Sequence, residues 1–321
     1  MRPSLLTAVV ALAAVITSTP SPPEAQGVHR GADYFTNLPV VTQDGKTLKF
    51  YDDVLKGKIV LISFFYTNCP DICPLTTARI AQVEDKLGDL MGRDIFFVSM
   101  SVDPERDTPE RLKAFAMAFD AGPGWLFLTG KPEDIRLINS RLGDKSRSLS
   151  EHRNEIVLGN DATGEWTRNT AFGDLDRLIM DIRAMDPKWR AEARQPKFDP
   201  AANTGYAVDH LQPGQALFKK LCAPCHTIGV GDHVGPDLRG VTERRHQAWL
   251  TAFIRSPAKL LAEKDPVALA LAAKFPGVRM PNLKLSETDV EDLISYIRAQ
   301  NANLADGTQD ASATEHEHHH H

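Results

Sequence analysis

The sequence predicts a multidomain chain: an α/β domain over residues 30–187, followed by a small all-α domain over 210–303. Three observations predict it. Apolar, strand-like runs alternate with helical patterns in the first part only. From Pro213 onward there is no strand signal. Between the two parts the pattern is broken by Pro196, Pro200 and Gly205, so residues 188–209 read as a linker.

With 321 residues, 42% hydrophobic content and a net charge of −5, the chain is an ordinary globular protein with room for two domains. No basic run stands out, which excludes a nucleic-acid footprint. The four cysteines fall into two tight pairs, Cys69/Cys73 and Cys222/Cys225. That arrangement points to two separate sites rather than a disulfide framework, two local disulfides being the bland alternative.

The N-terminal residues 1–26 read as a signal peptide. Arg2 precedes the apolar run Leu5–Ile16, and a Thr/Ser/Pro-rich stretch follows to Gln26, with cleavage near Ala25. The run is short for a membrane span, and an uncleaved N-terminal anchor is the alternative. On either reading the chain is expected to be exported or periplasmic, soluble or anchored close to a membrane.

Along the first domain, Leu48–Tyr51 reads as a short strand after the Asp44-Gly45 turn, and Lys58–Phe65 as a buried strand. A helical pattern runs from Leu75 to Leu90. Ile95–Val102 is a second buried strand, with a helix from about Pro109 to Phe119. Trp125–Leu128 is a third strand, and Pro132–Leu142 a helix with proline in its first turn. Glu155–Leu158 and Glu165–Thr167 flank the Asp161–Gly164 turn as a hairpin, and Leu175–Met185 closes as a helix. Strands alternating with helices and then a hairpin describe a thioredoxin-like sheet.

Cys69 and Cys73 lie on the turn between the Lys58–Phe65 strand and the following helix. That is where open α/β sheets place their chemistry. A helix N-terminus favours thiolate over thiol, so the pair is either a redox dithiol or a soft-metal clamp. Asp71 between them either tunes the site or forms the turn.

In the second domain, Gly214–Leu221, His246–Arg255, Pro257–Lys264 and Glu287–Gln300 are helical, with Ser286 as N-cap of the last. Cys222-Ala-Pro-Cys225-His226 fits the haem c attachment pattern. Two thiols one helical turn apart can form thioethers to the two vinyl groups, and the adjacent imidazole of His226 then lies beneath the iron. Met280, the only methionine after Met185, is the expected sixth ligand, against His210, His233 and His246 as rivals. These residues resemble class I cytochromes c over about 210–302. Gly214 and Phe218 match that family's first helix and Tyr296 its last, while Gly235-Pro236-Asp237-Leu238 resembles the loop whose proline carbonyl orients the proximal imidazole. The resemblance implies an electron carrier with one covalent haem c.

Two features separate the first pair from an ordinary disulfide exchanger: a three-residue gap between cysteines, and no proline between Pro132 and Pro187 to serve as the usual facing cis-proline. Copper(I) prefers thiolates with imidazole as a good third ligand, and the domain's histidines are His29 and His152. His152 sits just before the Glu155–Leu158 strand; a surface histidine is its bland reading.

The stretches Gly57–Thr67, Cys69–Pro74, Ser101–Pro109, Leu128–Gly130 and Pro132-Glu133 resemble the Sco/SenC family, over about residues 33–185. The resemblance implies that Cys69, Cys73 and His152 bind one copper ion. It also implies delivery to the CuA centre of cytochrome c oxidase, with some members acting instead as thiol reductants of the CuA cysteines. Glu151 stands where the family has an aspartate before its histidine.

The expected function is thus a copper chaperone for assembly of a respiratory copper centre, with a fused haem that sets the redox state of the copper/dithiol site. A periplasmic thiol–disulfide oxidoreductase coupled to a cytochrome is the alternative, and a redox or copper sensor the third reading. A flexible linker of ~20 residues reaches roughly 25 Å, enough for the two domains to dock. The tail over 304–321, ending Glu315-His-Glu-His-His-His-His321, is expected to be disordered, and collects metal, is a partial purification tag or is an inert tail.

Overall fold

The computed structural model describes residues 30–146, 148–149, 155–193 and 213–305. Its first part holds strands β1 (Pro39–Thr42), β2 (Thr47–Lys49), β3 (Ile59–Phe65), β4 (Ile95–Ser101), β5 (Trp125–Thr129), β6 (Glu155–Asn160) and β7 (Glu165–Thr170). Helices α1 (Ala32–Phe35), α2 (Cys73–Leu87), α3 (Pro109–Ala118), α4 (Pro132–Leu142), α5 (Leu175–Arg183) and α6 (Pro187–Ala193) accompany them. The strands form one sheet in the order β2-β1-β5-β4-β3-β6-β7. Its centre is parallel (β3 with β4, β4 with β5), and its flanks are antiparallel. This is the thioredoxin-like α/β arrangement expected from the alternation of elements.

Because side chains alternate along a strand, the central strands feed two apolar layers. Leu61, Phe97 and Phe127 face one side, where Ile80 and Val83 of α2, Phe115 of α3 and Ile182 of α5 cover them. Val60, Ile62, Val98 and Leu128 face the other, under Ile135 and Ile138 of α4. Burying each such side chain contributes roughly 1.5–3 kcal/mol. Near-total burial on both faces explains why β3, β4 and β5 read as almost continuous apolar runs.

Several elements differ from expectation. The strand expected over Leu48–Tyr51 stops at Lys49, and Phe50–Leu55 winds into a π-helical turn. The spacing of Phe50, Tyr51, Val54 and Leu55 puts all four into the core, which a two-residue alternation could not do. Asp53 accepts the Lys49 N–H at 2.7 Å and fixes the start of the turn. Strand β1 and helix α1 were not anticipated. Helix α6 extends the first domain into the stretch read as linker, started by Asp186, which accepts the Lys188 N–H at 2.8 Å.

The second part is helical: α7 (Gln215–Leu217) runs into a π-helical turn at Phe218–Cys222, followed by α8 (Val241–Arg244), α9 (Gln247–Arg255), α10 (Pro257–Ala262), α11 (Pro266–Lys274) and α12 (Glu287–Ala305). Helix α11 was also unanticipated; Asp265 caps it by accepting the Val267 and Ala268 N–H groups. The first and last helices cross at Gly214, where a Cβ would come within 2.2 Å of the Asp292 carbonyl. Its φ of +81° adds a second reason for glycine. One turn on, the Phe218 and Tyr296 rings pack with centroids 5.3 Å apart. Ser286 caps α12 in a reciprocal pair with Asp289.

Candidate functional site

The segment after β3 is pinned before it reaches the first cysteine. Asp107 is buried, and its carboxylate accepts the Thr67 hydroxyl at 2.6 Å, the Thr67 N–H at 3.2 Å and the Ser101 hydroxyl at 2.6 Å. Burial pushes the Asp107 carboxyl above its ordinary range, against these donors. The loop is therefore tied to the carboxyl end of the neighbouring strand β4. Cys69 follows, its N–H bonded to the Tyr66 carbonyl at 3.2 Å, and Cys73 opens α2 with Pro74 in the first turn.

Both thiols are buried, at 3% and 1% exposure, and neither is in a disulfide. The Cys73 thiol donates to the Cys69 sulfur, which also faces the N–H groups of Cys73 and Asp71 and the Tyr66 hydroxyl. The Cys73 hydrogen bond leads in holding the Cys69 thiol well below its usual range, with burial opposing. Cys73, donor of that bond and more deeply buried, is pushed up. Burial and the adjacent Cys69 likewise raise Tyr66. The pair is thus asymmetric, with Cys69 pushed toward thiolate and Cys73 away from it. The Asp71 side chain is exposed, and its N–H rather than its carboxylate serves the site.

Of the expected copper trio, Cys69 and Cys73 are brought together. His152 lies outside the described residues, as do His29, His210, the N-terminal run and the histidine-rich tail. Among the described residues no cluster of three or more His, Cys, Asp or Glu side chains could hold a metal. No helix among them is long and apolar enough to cross a membrane.

Cys222, Cys225, His226 and Met280 line one cavity enclosing about 860 Å³ of empty space, part of it open to solvent. Its walls include Phe253, Leu271, Phe275 and Val278. The His226 ring donates from Nδ1 to the Pro236 carbonyl at 2.9 Å, which leaves the lone pair on Nε2. Burial holds the imidazole below its usual pKa, so it stays neutral and able to ligate. Gly235 leaves no room for more: a Cβ there would meet the His226 ring at 2.7 Å. Burial pushes both Cys222 and Cys225 up to about 12. Exposed His233 and His246 do not line the cavity, and Met280 does. An apolar cavity with two thiols, an oriented neutral imidazole and a thioether fits a covalently attached haem.

The two sites adjoin. Leu75, two residues beyond Cys73, is part of the wall of the haem cavity. Val234 belongs to the same apolar cluster as Cys69 and Cys73, and Cys225 and Val278 pack against that cluster. Asn282 donates its N–H to the Pro70 carbonyl at 3.2 Å, and Arg79 of α2 donates to the Lys220 carbonyl at 3.0 Å. Sequence reasoning did not single out Tyr66, Asp107, Arg79 or Asn282. A signal existed for Arg79, a charge set between apolar Ala78 and Ile80 on a helix face that had to be buried.

Comparison with known proteins agrees with this division. Residues 30–153 match the SCO1/SenC family model, and residues 211–301 the cytochrome c model. A SCO2-like protein of Rickettsia felis is 33% identical over 193 residues, which are 56% of this chain and 91% of that protein. A SCO1 protein homolog of Bacillus subtilis is 42% identical over 92 residues, 27% of this chain and 45% of that protein. Protein SCO1 homolog 1, mitochondrial, of Arabidopsis thaliana is 36% identical over 99 residues, 31% and 28% of the two chains. The chain thus spans less than half the length of these last two relatives. A protein of Stutzerimonas stutzeri named for copper binding is 33% identical over 94 residues, 29% of this chain and 45% of that protein. Among solved structures, a SCO1/SenC family lipoprotein from Bacillus anthracis is 29% identical, covering 46% of this chain and 92% of that one with a TM-score of 0.41. With two adjoining sites, one in each matched region, this chain belongs to the SCO1/SenC family and carries a cytochrome c domain behind its thioredoxin-like one.

Proposed function

We propose that the chain is an exported copper chaperone that carries one copper ion on Cys69, Cys73 and His152 and delivers it to a respiratory copper centre. The CuA centre of cytochrome c oxidase is the recipient the family resemblance implies. The fused domain sets the oxidation state of the copper/dithiol site. The observation that carries this reading is the buried, hydrogen-bonded Cys69–Cys73 pair lying against the wall of the haem cavity. A pair of soft sulfurs, one already biased to thiolate, suits Cu(I). The copper-binding relative named above supports the same cargo.

A haem c attached through Cys222 and Cys225, with His226 and Met280 as axial ligands, would supply a one-electron couple. The chain's own part is to orient His226 through Pro236, to line the cavity with apolar side chains, and to hold that cavity against α2.

Anaerobic Cu(I) titration of the reduced, haem-loaded chain, truncated before the histidine tail, tests the copper reading. One tight copper per chain is expected, weakened in Cys69→Ser by more than the ~100-fold that outer-shell losses cause. Equal affinity in the variant would remove Cys69 from the ligand set. For the haem, Met280→Ala should abolish the sulfur-to-iron charge-transfer band of the oxidised protein; a band that survives would show that another residue ligates.

The lowered Cys69 thiol beside Cys73 favours a second reading, a thiol–disulfide oxidoreductase coupled to the cytochrome. It predicts a readily reversible Cys69–Cys73 disulfide and no tight copper.

A further inference from the structure

Besides the apolar packing of Val234, Cys225 and Val278, three contacts from residues 70–79 join the dithiol segment to the haem pocket. The Pro70 carbonyl, adjacent to Cys69, accepts the N–H of Asn282, two residues past Met280. Leu75, two residues past Cys73, walls the cavity. Arg79, on the following turn of α2, sends its guanidinium to the carbonyls of Ala171, Gly173 and Lys220, the last lying two residues before Cys222. One bond therefore grips each flank of the haem cavity, the Met280 flank and the Cys222–His226 flank.

Arg79 is the costly member. It is 4% exposed, and among the described residues its hydrogen bonds all go to carbonyl oxygens. The Asp174 carboxylate nearby favours its charge, and burial of the cation opposes it unless the hydrogen-bond geometry is well satisfied. Two of its three bonds, to Ala171 and Gly173, tie α2 to the β7–α5 turn within the first domain. The third reaches Lys220, whose carbonyl sits in the π-helical turn Phe218–Cys222, where the ordinary helical bonding pattern is interrupted. The rigid guanidinium fork, which bridges the β7–α5 turn to the helix leading into Cys222, is suited to hold two elements in register.

The cysteine loop is built to pass on a displacement. Pro70 follows Cys69 and Pro74 follows Cys73, so backbone φ is fixed beside both sulfurs. Closing the pair means exchanging a hydrogen-bond contact for a covalent S–S bond of ~2.05 Å. The adjoining prolines offer little local slack to absorb that approach.

We propose that Arg79 and the Pro70–Asn282 hydrogen bond make the dithiol and the haem pocket one coupled unit. Disulfide closure by exchange with a disulfide oxidant, which takes up the pair's two electrons and two protons and leaves as its dithiol, or metal loading at Cys69/Cys73, displaces the Pro70 carbonyl and the first turns of α2. The displacement resets the Met280 segment and the turn that carries Cys222. By linkage, the oxidation state of the haem site changes the dithiol's own equilibrium by the same factor. Arg79 and Asn282 are positioning residues here, since they touch neither sulfur nor iron. The inference rests on reading Cys222–Met280 as a haem site, and is independent of whether copper is the cargo.

The test is spectroelectrochemical titration of the haem in the full-length, haem-loaded chain, poised with one-electron mediators, in its dithiol and disulfide forms. The haem reduction constant should differ between the two forms on the order of tenfold, ~59 mV for one electron. The difference should fall below about twofold in Arg79→Met and, separately, in Asn282→Pro, which removes the donated N–H. Arg79→Lys, which keeps a charge and a donor, should restore part of it. A second readout needs no electron transfer: with Cys222 and Cys225 held as thioethers, Cys69 should be alkylated severalfold faster in Arg79→Met, because the packing of Val234 against the Cys69/Cys73 cluster is loosened.

Identical haem potentials in the two wild-type forms would overturn the proposal, as would a full difference retained in both variants. Should Arg79→Met fail to fold, Asn282→Pro decides alone. A chain that shows the potential difference but no tight Cu(I) keeps this coupling and loses the copper reading. A chain that binds copper tightly without the difference does the reverse.

Discussion

The two cysteine pairs use the same side chain under opposite physical conditions. At Cys69/Cys73, an internal thiol hydrogen bond and backbone N–H groups at a helix start bias one sulfur to thiolate. At Cys222/Cys225 burial leads, with Cys222 adding to it at Cys225, and both thiols are pushed up to about 12. The first environment suits a sulfur that must bind and release reversibly. The second suits sulfurs whose reactivity is spent once, in covalent attachment, and then sealed. Burial alone does not decide a cysteine's chemistry, since the fully buried Cys69 is held down while the half-buried Cys222 and Cys225 are pushed up. The donors pointed at the sulfur decide it.

Exchanging the losses between pairs is the most severe way to break this contrast. Cys222→Ala/Cys225→Ala should leave no haem attached after denaturation in acidified organic solvent, an all-or-none effect. Cys69→Ala/Cys73→Ala should keep its covalent haem in full and lose tight Cu(I) binding. Mass spectrometry with a haem-stained gel reads the first, and anaerobic titration the second. Covalent haem lost from the Cys69/Cys73 variant would mean the pairs are not separable in role.

A finer test follows the bias within the first pair. An ordinary thiol with pKa ~8.5 loses about fifteenfold in alkylation rate between pH 8.5 and pH 7, in step with its thiolate fraction. The Cys69 thiol lies below that value, so its rate should fall by no more than about threefold over the same interval. Cys73 should remain unmodified. Peptide mapping after pulsed iodoacetamide treatment of the haem-loaded chain measures both. A fifteenfold fall at Cys69 would show that the Cys73 hydrogen bond does not hold in solution.

Local chemistry was legible in the sequence and long-range contacts were not. The continuous apolar runs of β3, β4 and β5 and the Cys-x-x-Cys-His pattern carry their meaning within a few residues. So do the Ser286 cap and the Pro132 first turn. The Asp265-Pro266 pair signals the start of α11 just as clearly, but the small, mostly alanine and leucine turns that follow give little periodicity to extend it. Strand β1 exists through pairing with β2 and, more than eighty residues on, with β5. The bonds from Pro70 to Asn282 and from Arg79 to Lys220 span 212 and 141 residues, and no local pattern encodes them. The adjoining of the two sites is therefore the part of the arrangement that only the fold reveals.

The two regions also differ in how protons act on their stability, and this gives the smallest and most specific prediction. In the first domain, burial lifts Glu84 to about 7 even though it accepts the Gly122 N–H. Its folded-state pKa lies above its unfolded value of about 4.5, so between pH 4.5 and 7 the folded form binds more protons. Stability should therefore fall as pH rises through that window, by ~1–2 kcal/mol once solvent access to the half-buried carboxyl is allowed for. In the haem domain the sign is opposite. Burial would raise Asp237, but the N–H groups of Gly229, Arg239 and Gly231 outweigh it and hold its carboxyl below the usual range. Its contribution is present at neutral pH and is lost only as pH falls below the ordinary Asp value. Calorimetry from pH 4.5 to 7.5 should show the first domain weakening with rising pH while the haem domain holds level. Glu84→Gln keeps an acceptor for Gly122 but cannot ionise, so it should abolish the slope and gain that ~1–2 kcal/mol at pH 7.5. An unchanged slope in this variant would mean that another group carries the proton.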